Sequence, residues 1–331
     1  MAFILLKYFK YALVIFSFVI TVVTAVFAFL NSVPINVNTF GTNVMLLAPH
    51  IYLHNMELLS EKYPVYITPA GWVFSILWPL IYLWNFIAAA FLVISLCLKP
   101  TMNPIMRSPP LLPTSFFVCW ILTFGGLLGW LFTFDREIFE LSLILLSMST
   151  VTSYCCIVIS YKAIDNEIVY LENHRKRLLY TIRILIHNGQ GILFAWILPA
   201  TLLNLIVVMV YHDSPKSDHA VSRELISTED SGTIVLAIIG VFVIVFFMLE
   251  NFMFARCTRY TVTIWPTMLF ASSGIVVRNW KHPDGDRNSI MACAAVALCG
   301  FGFVGKFILF VHYRCKAKNF FRGDQDVEAG K

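Results

Sequence analysis

Long apolar runs separated by short polar segments dominate the chain. Eight of them approach or exceed the roughly 20 mostly apolar residues that a membrane-spanning helix needs. The runs are 11–30, 70–98, 114–134, 141–161, 184–211, 232–249, 260–277 and 289–313. The sixth and seventh runs are the shortest, and the seventh is the most polar. Because apolar residues follow one another without the alternation of a barrel strand, the pattern predicts eight transmembrane α-helices.

The composition agrees with this pattern and excludes a soluble fold. Of the 331 residues, 59% are hydrophobic and 13% are charged, and the mean hydropathy is +0.77. An ordinary soluble protein has about 25% charged residues. A soluble domain of this length could not hide so many apolar side chains, since much of any folded surface must face water. We therefore expect an all-α integral membrane protein.

The distribution of Lys and Arg predicts how the helices are oriented in the membrane. Of the 24 Lys and Arg residues, 16 fall on the side of the two termini, 7 fall on the opposite side, and Lys306 lies inside the eighth run. Because cytosolic loops carry an excess of these residues, we expect both termini and a tail at 314–331 in the cytosol. The connections 31–69 and 212–231 then lie outside. The sequence does not distinguish the plasma membrane from an endomembrane.

The first run has a second interpretation, as a cleaved signal peptide. It follows a basic segment and ends near small residues at 25–28, as signal peptides do. Cleavage would leave a seven-helix receptor, and the triplet Asp135-Arg136-Glu137 resembles one found in such receptors. We favour an uncleaved anchor, because the hydrophobic part of a signal peptide has about 7–15 residues. The triplet is then expected to be a solvated helix end outside.

Motifs of enzymes and metal sites are missing from the sequence. It contains no phosphate-binding glycine loop, no His-Glu-x-x-His pair and no Cys-x-x-Cys pair. The eight histidines do not cluster with Cys or carboxylates at the spacing of metal ligands. We therefore expect no catalytic residues, no metal site and no enzymatic activity.

Polar or charged residues interrupt the apolar runs or lie at their ends, and five of them are candidates for a functional role. They are His187, Asn188, Gln190, Glu250 and Lys306. Such side chains are costly against lipid, so we expect them to face the bundle interior. Hydrogen bonding between helices is the simpler explanation, and a permeation or proton-relay site is the alternative. Counted from the outer helix ends, Glu250 and Lys306 both lie about 26 Å deep, which predicts an ion pair if their helices are neighbours.

Aromatic residues recur along the start of the second run. The segment contains Pro69, Gly71, Trp72, Phe74, Trp78 and Tyr82. Aromatic rings are common at the membrane–water boundary, which explains Trp72, but Trp78 lies about 13 Å deep. Buried Trp and Tyr side chains need partners for their N–H and O–H groups. The depth of these rings therefore predicts a pocket.

The pattern Pro69-x-Gly71-Trp72-x-Phe74-x3-Trp78-x3-Tyr82 resembles the second-helix signature of the translocator protein and tryptophan-rich sensory protein (TspO/MBR) family. The pattern Trp196-x3-Ala200-x3-Asn204 resembles the fifth-helix pattern of that family, in which these side chains face inward. The similarity covers about residues 10–211 and includes the long first loop. The third run keeps Trp130 but lacks the asparagine that precedes it in the family. The family has five helices, but the resemblance extends to larger, eight-helix and mostly uncharacterised relatives, and the chain looks like one of them.

The resemblance implies a five-helix bundle with a pocket that opens toward the first loop and binds flat apolar ligands, such as sterols or tetrapyrroles. We expect residues 1–211 to form this bundle and residues 212–313 to form a three-helix extension. The ligand-binding candidates are Trp72, Phe74, Trp78, Tyr82, Trp196, Ala200 and Asn204. By helix rise, Trp78, Ala200 and Asn204 lie roughly 10–17 Å below the outer boundary and can line one cavity, with the apolar stretch 45–59 as its lid.

The function that these observations favour is binding, sensing or carrying a small hydrophobic ligand. A secondary transporter or channel that uses His187, Glu250 and Lys306 is the first alternative, and the seven-helix receptor is the second. The expected partners are the lipid bilayer and the ligand, with a homodimer as an option and no nucleic acid. A tetrapyrrole cofactor follows from the resemblance alone, and no other cofactor is expected.

Overall fold

The structure is a computed structural model that describes residues 2–32, 51–54, 56–99, 103–211, 226–280 and 285–329, and all regular elements in these ranges are helices. They are α1 (Ala2–Ser32), α2 (Met56–Lys62), α3 (Gly71–Ser95), α4 (Thr114–Asp135), α5 (Phe139–Asn166), α6 (Ile168–His174), α7 (Lys176–Tyr211), α8 (Thr228–Met253), α9 (Ala255–Thr258), α10 (Ile264–Asn279) and α11 (Arg287–Ala329). Two of these helices contain a π-helical turn, at Arg183–His187 in α7 and at Leu249–Met253 in α8.

Seven helices in the described ranges are long and apolar enough to cross a membrane. They are α1, α3, α4, α5, α7, α8 and the Arg287–His312 part of α11. Helix α10 matches the seventh apolar run but has only 16 residues, which give a length of about 24 Å. A bilayer core is about 30 Å thick. The predicted all-α membrane fold is therefore confirmed, whereas the count of eight spans is not.

Two helices continue well beyond the apolar runs that predicted them. Helix α7 begins at Lys176, ahead of the run 184–211, and α11 continues to Ala329, through most of the expected tail at 314–331. The apolar pattern shows where a chain can lie in lipid. It does not show where a helix stops, because Lys and Arg are good helix formers outside the membrane.

Helices α1, α3, α4, α5 and α7 pack into one bundle, in which α4 lies against α1 and α5. Gly126 brings α4 so close to α5 that a Cβ atom there would lie 2.3 Å from Ser149 Oγ. The Ser149 hydroxyl donates to the Thr123 carbonyl over 3.0 Å, and Trp120 Nε1 donates to Thr21 Oγ1 over 2.9 Å. Close packing at small residues and interhelical hydrogen bonds hold helices together in lipid, where the hydrophobic effect does not.

Helices α8, α10 and α11 form the extension, which packs along α7 and α3. The Ala70 N–H at the start of α3 donates to the Gly274 carbonyl of α10 over 3.0 Å. A Cβ atom at Gly274 would lie 2.3 Å from a Val73 methyl group. A glycine at this position therefore allows α10 to lie directly against the first turn of α3.

Candidate functional site

A cavity of about 1080 Å³ lies among α1, α3, α4, α7 and α10, at the end of the bundle that carries residues 59–69. We call this the outer end. Ligand sites commonly have volumes of about 300–1,000 Å³, so the space suits a drug-sized molecule or a larger one. The wall includes all seven of the sequence-derived ligand-binding candidates, which are Trp72, Phe74, Trp78, Tyr82, Trp196, Ala200 and Asn204. That they bind a ligand remains a prediction.

Trp78 is the centre of an aromatic cluster on this wall. Its ring stacks on Tyr82 at a centroid distance of 5.4 Å and on Trp130 at 5.9 Å, and it meets Trp196 edge to face at 5.8 Å. Phe74, Trp78 and Tyr82 are spaced by four residues and therefore share one face of α3. Offset-stacked and edge-to-face rings are the favourable aromatic arrangements, so the wall offers preformed flat surfaces to an apolar ligand.

Four buried polar atoms on wall residues have no hydrogen-bond partner within the described ranges. They are Ser60 Oγ, Trp130 Nε1, Trp196 Nε1 and Asn204 Oδ1. Asn204 Nδ2 donates to Ser142 Oγ over 2.7 Å, which holds the amide in one orientation. A buried polar group without a partner costs about 1–3 kcal/mol. A ligand that supplied one donor and one or two acceptors would remove part of this cost.

Trp130 was not among the ligand-binding candidates, although its place in the third apolar run gave a signal. The sequence shows a tryptophan in the outer half of α4, and the structure brings it into stacking distance of Trp78. The wall residues of α10, among them Ala271, Ile275 and Arg278, gave no comparable signal. They reach the cavity only because the extension packs on α3.

Residues within 59–69 line part of the outer end of the cavity and form its cover. Within the predicted lid at 45–59, residues 45–50 and 55 lie outside the described residues. Asp135 at the end of α4 binds the described part, since its carboxylate accepts the N–H groups of Leu53 over 3.0 Å and His54 over 2.8 Å. Asp135 is only 1% exposed, so the expectation that its triplet forms a solvated helix end is wrong. These two backbone partners of Asp135 are more than 80 positions earlier in the chain.

Glu137 makes a second connection between this segment and the end of α4. Its carboxylate accepts hydrogen bonds from Lys62 Nζ over 2.7 Å and from Tyr63 OH over 2.8 Å. Burial raises the pKa of Glu137, but the hydrogen bonds from Lys62 and Tyr63 and the Lys62 charge lower it by more, so the net pKa is below its usual value. These contacts therefore stabilise the cover at neutral pH. Their contribution is lost in acid, as the pH falls through the lowered pKa.

The three polar residues at the start of the fifth apolar run are buried, and none of them lines the cavity. His187 Nε2 lies 2.8 Å from Ser160 Oγ. Gln190 Nε2 donates to Asn85 Oδ1 over 2.8 Å. Their partners belong to α5 and α3, so these groups connect α7 to both neighbours.

Asn188 connects α7 to the segment 259–263 of the extension. Its Nδ2 donates to the Arg183 carbonyl over 2.7 Å and to the Tyr260 carbonyl over 2.9 Å. Its Oδ1 accepts the N–H groups of Val262 over 2.8 Å and Thr263 over 3.2 Å. One side chain thus satisfies four backbone groups at the point where a π-helical turn changes the register of α7.

The predicted ion pair between Glu250 and Lys306 is confirmed, with an Nζ–Oε1 distance of 2.7 Å. Glu250 is 2% exposed and Lys306 is 5% exposed. Trp265 Nε1 donates to the second carboxylate oxygen over 2.6 Å, and Lys306 Nζ also donates to the Thr258 carbonyl over 2.9 Å. The pair therefore joins α8, α10 and α11, and it lies outside the cavity wall.

Comparison with known proteins extends the resemblance seen in the two sequence motifs. A family model described as TSPO-like protein matches residues 12–308. No curated protein and no solved structure matches the chain. The matched range reaches through α8 and α10 and into α11, so it includes the extension as well as the residues 10–211 that carry the motifs.

Proposed function

The chain belongs to the TSPO-like protein family, and from that premise we propose that it binds, senses or carries a small, flat hydrophobic ligand in the outer cavity. The observation that carries the proposal is the wall of this cavity. It combines the Trp78 cluster with buried polar atoms that have no hydrogen-bond partner among the described residues. A flat apolar molecule would stack on the indole rings. A hydroxyl or carbonyl group on it would pair with Trp130, Trp196 or Asn204.

The contacts of the intramembrane polar residues favour this function over a transporter or channel. His187, Glu250 and Lys306, which would act as coupling groups, each hold a partner on another helix. Within the described residues, the charged groups on the cavity wall are Glu61 and Arg278, both near the outer opening. We therefore also propose that the protein is not an enzyme and that the cavity needs no resident cofactor.

Variants of the wall test the proposal. We expect the small molecules that copurify in mild detergent, identified by mass spectrometry, to include one that Trp78→Ala and Ala200→Trp both deplete roughly tenfold. Trp78→Ala removes the central ring of the cluster, and aromatic pairs and their buried area are together worth more than 1.4 kcal/mol. Ala200→Trp fills the cavity. Asn204→Ala should weaken retention of the same molecule by a smaller factor.

The matched control is Phe301→Ala, which removes an exposed ring of α11 that lies outside the cavity wall. It should leave retention at the wild-type level. Equal retention by wild type, Trp78→Ala and Ala200→Trp, with all three proteins folded by thermal unfolding, would contradict ligand binding in this cavity.

We further propose that α10 completes an eighth crossing, so that both termini lie on the cytosolic side. At its inner end, Thr263 Oγ1 donates to the Asn188 carbonyl over 2.8 Å. At its outer end, Asn279 Nδ2 donates to the Thr68 carbonyl over 3.0 Å. Helix α10 thus extends from the inner part of α7 to the outer start of α3, which supports an eighth crossing, and the Lys and Arg distribution favours the same orientation.

Accessibility of introduced cysteines distinguishes eight crossings from seven. With the protein at the cell surface, an impermeant maleimide should label Ser217→Cys in intact cells and Gly323→Cys only after permeabilisation. Wild-type protein measures the labelling of the native cysteines. Labelling of Gly323→Cys in intact cells would place the C-terminal end of α11 outside and would refute the proposed topology.

A further inference from the structure

Arg278, in the last turn of α10, brings a cation to the outer rim of the cavity. Its Nη1 donates to the Pro69 carbonyl over 3.2 Å. The neighbouring Asn279 binds the Thr68 carbonyl, and Gly274 lies against Val73 one turn earlier. These contacts hold the end of α10 on the start of α3, so the guanidinium has a defined place beside the opening.

The guanidinium of Arg278 has donors that Pro69 does not use. An arginine carries five N–H donors in a planar fork that matches a carboxylate or sulfonate group. In the described part of the chain, no carboxylate forms an ion pair with Arg278. An anion at the rim would therefore meet an anchored cation without first displacing an acidic side chain.

Glu61 is the second charged residue on the wall, and it would attract a cation instead. It is exposed to water on the seven-residue helix α2. The next residue, Lys62, places its ammonium on Glu137. Arg278 is also exposed, but its guanidinium is held on the Pro69 carbonyl at the start of α3, so the geometry favours an anionic end of the ligand over a cationic one.

We propose that the cavity takes an elongated hydrophobic ligand with an anionic end, and that Arg278 binds the anion at the rim. This inference rests on the proposed function, because the ligand body must lie against Trp78 and Trp196 in the same cavity. Trp78 is nine residues beyond Pro69, and the helix rise gives about 13 Å between their levels. A rigid four-ring hydroxy acid has this form, with a carboxylate for Arg278 and a distal hydroxyl that can reach the buried polar groups near Trp196.

The inference also gives the extension a role in ligand selection. Arg278 lies in α10, outside the 1–211 bundle on which the motifs of the second and fifth helices lie. Those motifs provide the aromatic wall, and α10 provides its cation. The anion preference is therefore a property of the three additional helices.

The test uses the full chain in phosphatidylcholine nanodiscs and two tritium-labelled probes, lithocholic acid and its methyl ester, with empty nanodiscs subtracted. Acid and ester share the ring system and the distal hydroxyl and differ in charge. We expect the wild type to bind the acid roughly tenfold more tightly than the ester, as charge-assisted bidentate hydrogen bonds allow. Arg278→Gln should bind the two alike, and Arg278→Lys should recover part of the preference. The amine analogue of the acid should bind no more tightly than the ester.

The matched control is Arg287→Gln, which removes the same charge at the same outer end but from a residue that pairs with Asp230 and lies outside the wall. It should keep the wild-type preference. If both probes bind, lose binding in Ala200→Trp, and show no preference that depends on Arg278, the anion site is refuted and the cavity remains. If neither probe shows binding that Ala200→Trp abolishes, both proposals fail. Tighter binding of the amine would assign the charge recognition to Glu61 and overturn the role of Arg278.

Discussion

Lys306→Met should lower the free energy of unfolding by about 3–5 kcal/mol, because it leaves the Glu250 carboxylate buried without its cation. Glu250 is 2% exposed, and after the substitution its remaining side-chain donor is Trp265 Nε1. Thermal unfolding in a fixed detergent measures the loss. Phe307→Ala, at the next and exposed position of α11, should change stability far less.

A double-mutant cycle separates the ion pair from the packing of its two side chains. Glu250→Gln combined with Lys306→Met should lose less than the sum of the single changes, with a coupling of about 2–3 kcal/mol. The charge reversal Glu250→Lys with Lys306→Glu should restore only part of the loss. Trp265 Nε1 is a donor placed at the α8 position, and the Thr258 carbonyl is an acceptor placed at the α11 position. These two groups therefore match a carboxylate on α8 and an ammonium on α11, and not the reverse. Strictly additive losses would contradict the pair.

Asn188→Leu should destabilise the protein by about 3–5 kcal/mol. It removes the partner of the Tyr260 carbonyl and of the Val262 and Thr263 N–H groups, and each buried unpaired group costs about 1–3 kcal/mol. Hydrogen exchange should show faster exchange of the 259–263 amides, beyond the change in global stability.

Asn188→Asp serves as the matched variant for this prediction. Its oxygens can still accept from Val262 and Thr263, but it cannot donate to the Arg183 and Tyr260 carbonyls, so its stability should fall between wild type and Asn188→Leu. Ile184→Ala, on an exposed position of the same helix, controls for loss of side-chain volume. Stability of Asn188→Leu within 1 kcal/mol of wild type, with unchanged exchange at 259–263, would show that water or other groups replace the asparagine.

Both predictions concern the junction that places α10. The Asn188 contacts hold the segment just before α10, and Trp265 in its first turn binds Glu250. The other end of α10 carries Arg278 to the cavity rim. Weakening either connection should therefore also reduce binding of the acid probe, while Phe307→Ala should not.

The sequence by itself determined the class of the protein and much of the cavity wall. A continuous apolar run of 20 residues crosses lipid as a helix, because a helix gives each backbone N–H and C=O a hydrogen-bond partner within the segment. The rise of 1.5 Å per residue then fixes depth. Depth alone was sufficient to place Trp78, Ala200 and Asn204 at one level and Glu250 with Lys306 at another, and the structure brings each set together.

Only the tertiary structure decided which helices are neighbours and how their ends meet. Asp135 was expected in solvent, yet it is buried because residues 51–54 fold back onto it. Helix α10 is shorter than its apolar run suggested. The segment 259–263 before it forms hydrogen bonds with the Asn188 side chain through its backbone, so the helix begins only at Ile264. Arg278 reaches the cavity through close contact of Gly274 with Val73, two residues that lie 201 positions apart. Helix periodicity depends on local backbone geometry and is visible in the sequence, whereas these contacts depend on the packing of distant segments, which no local pattern records.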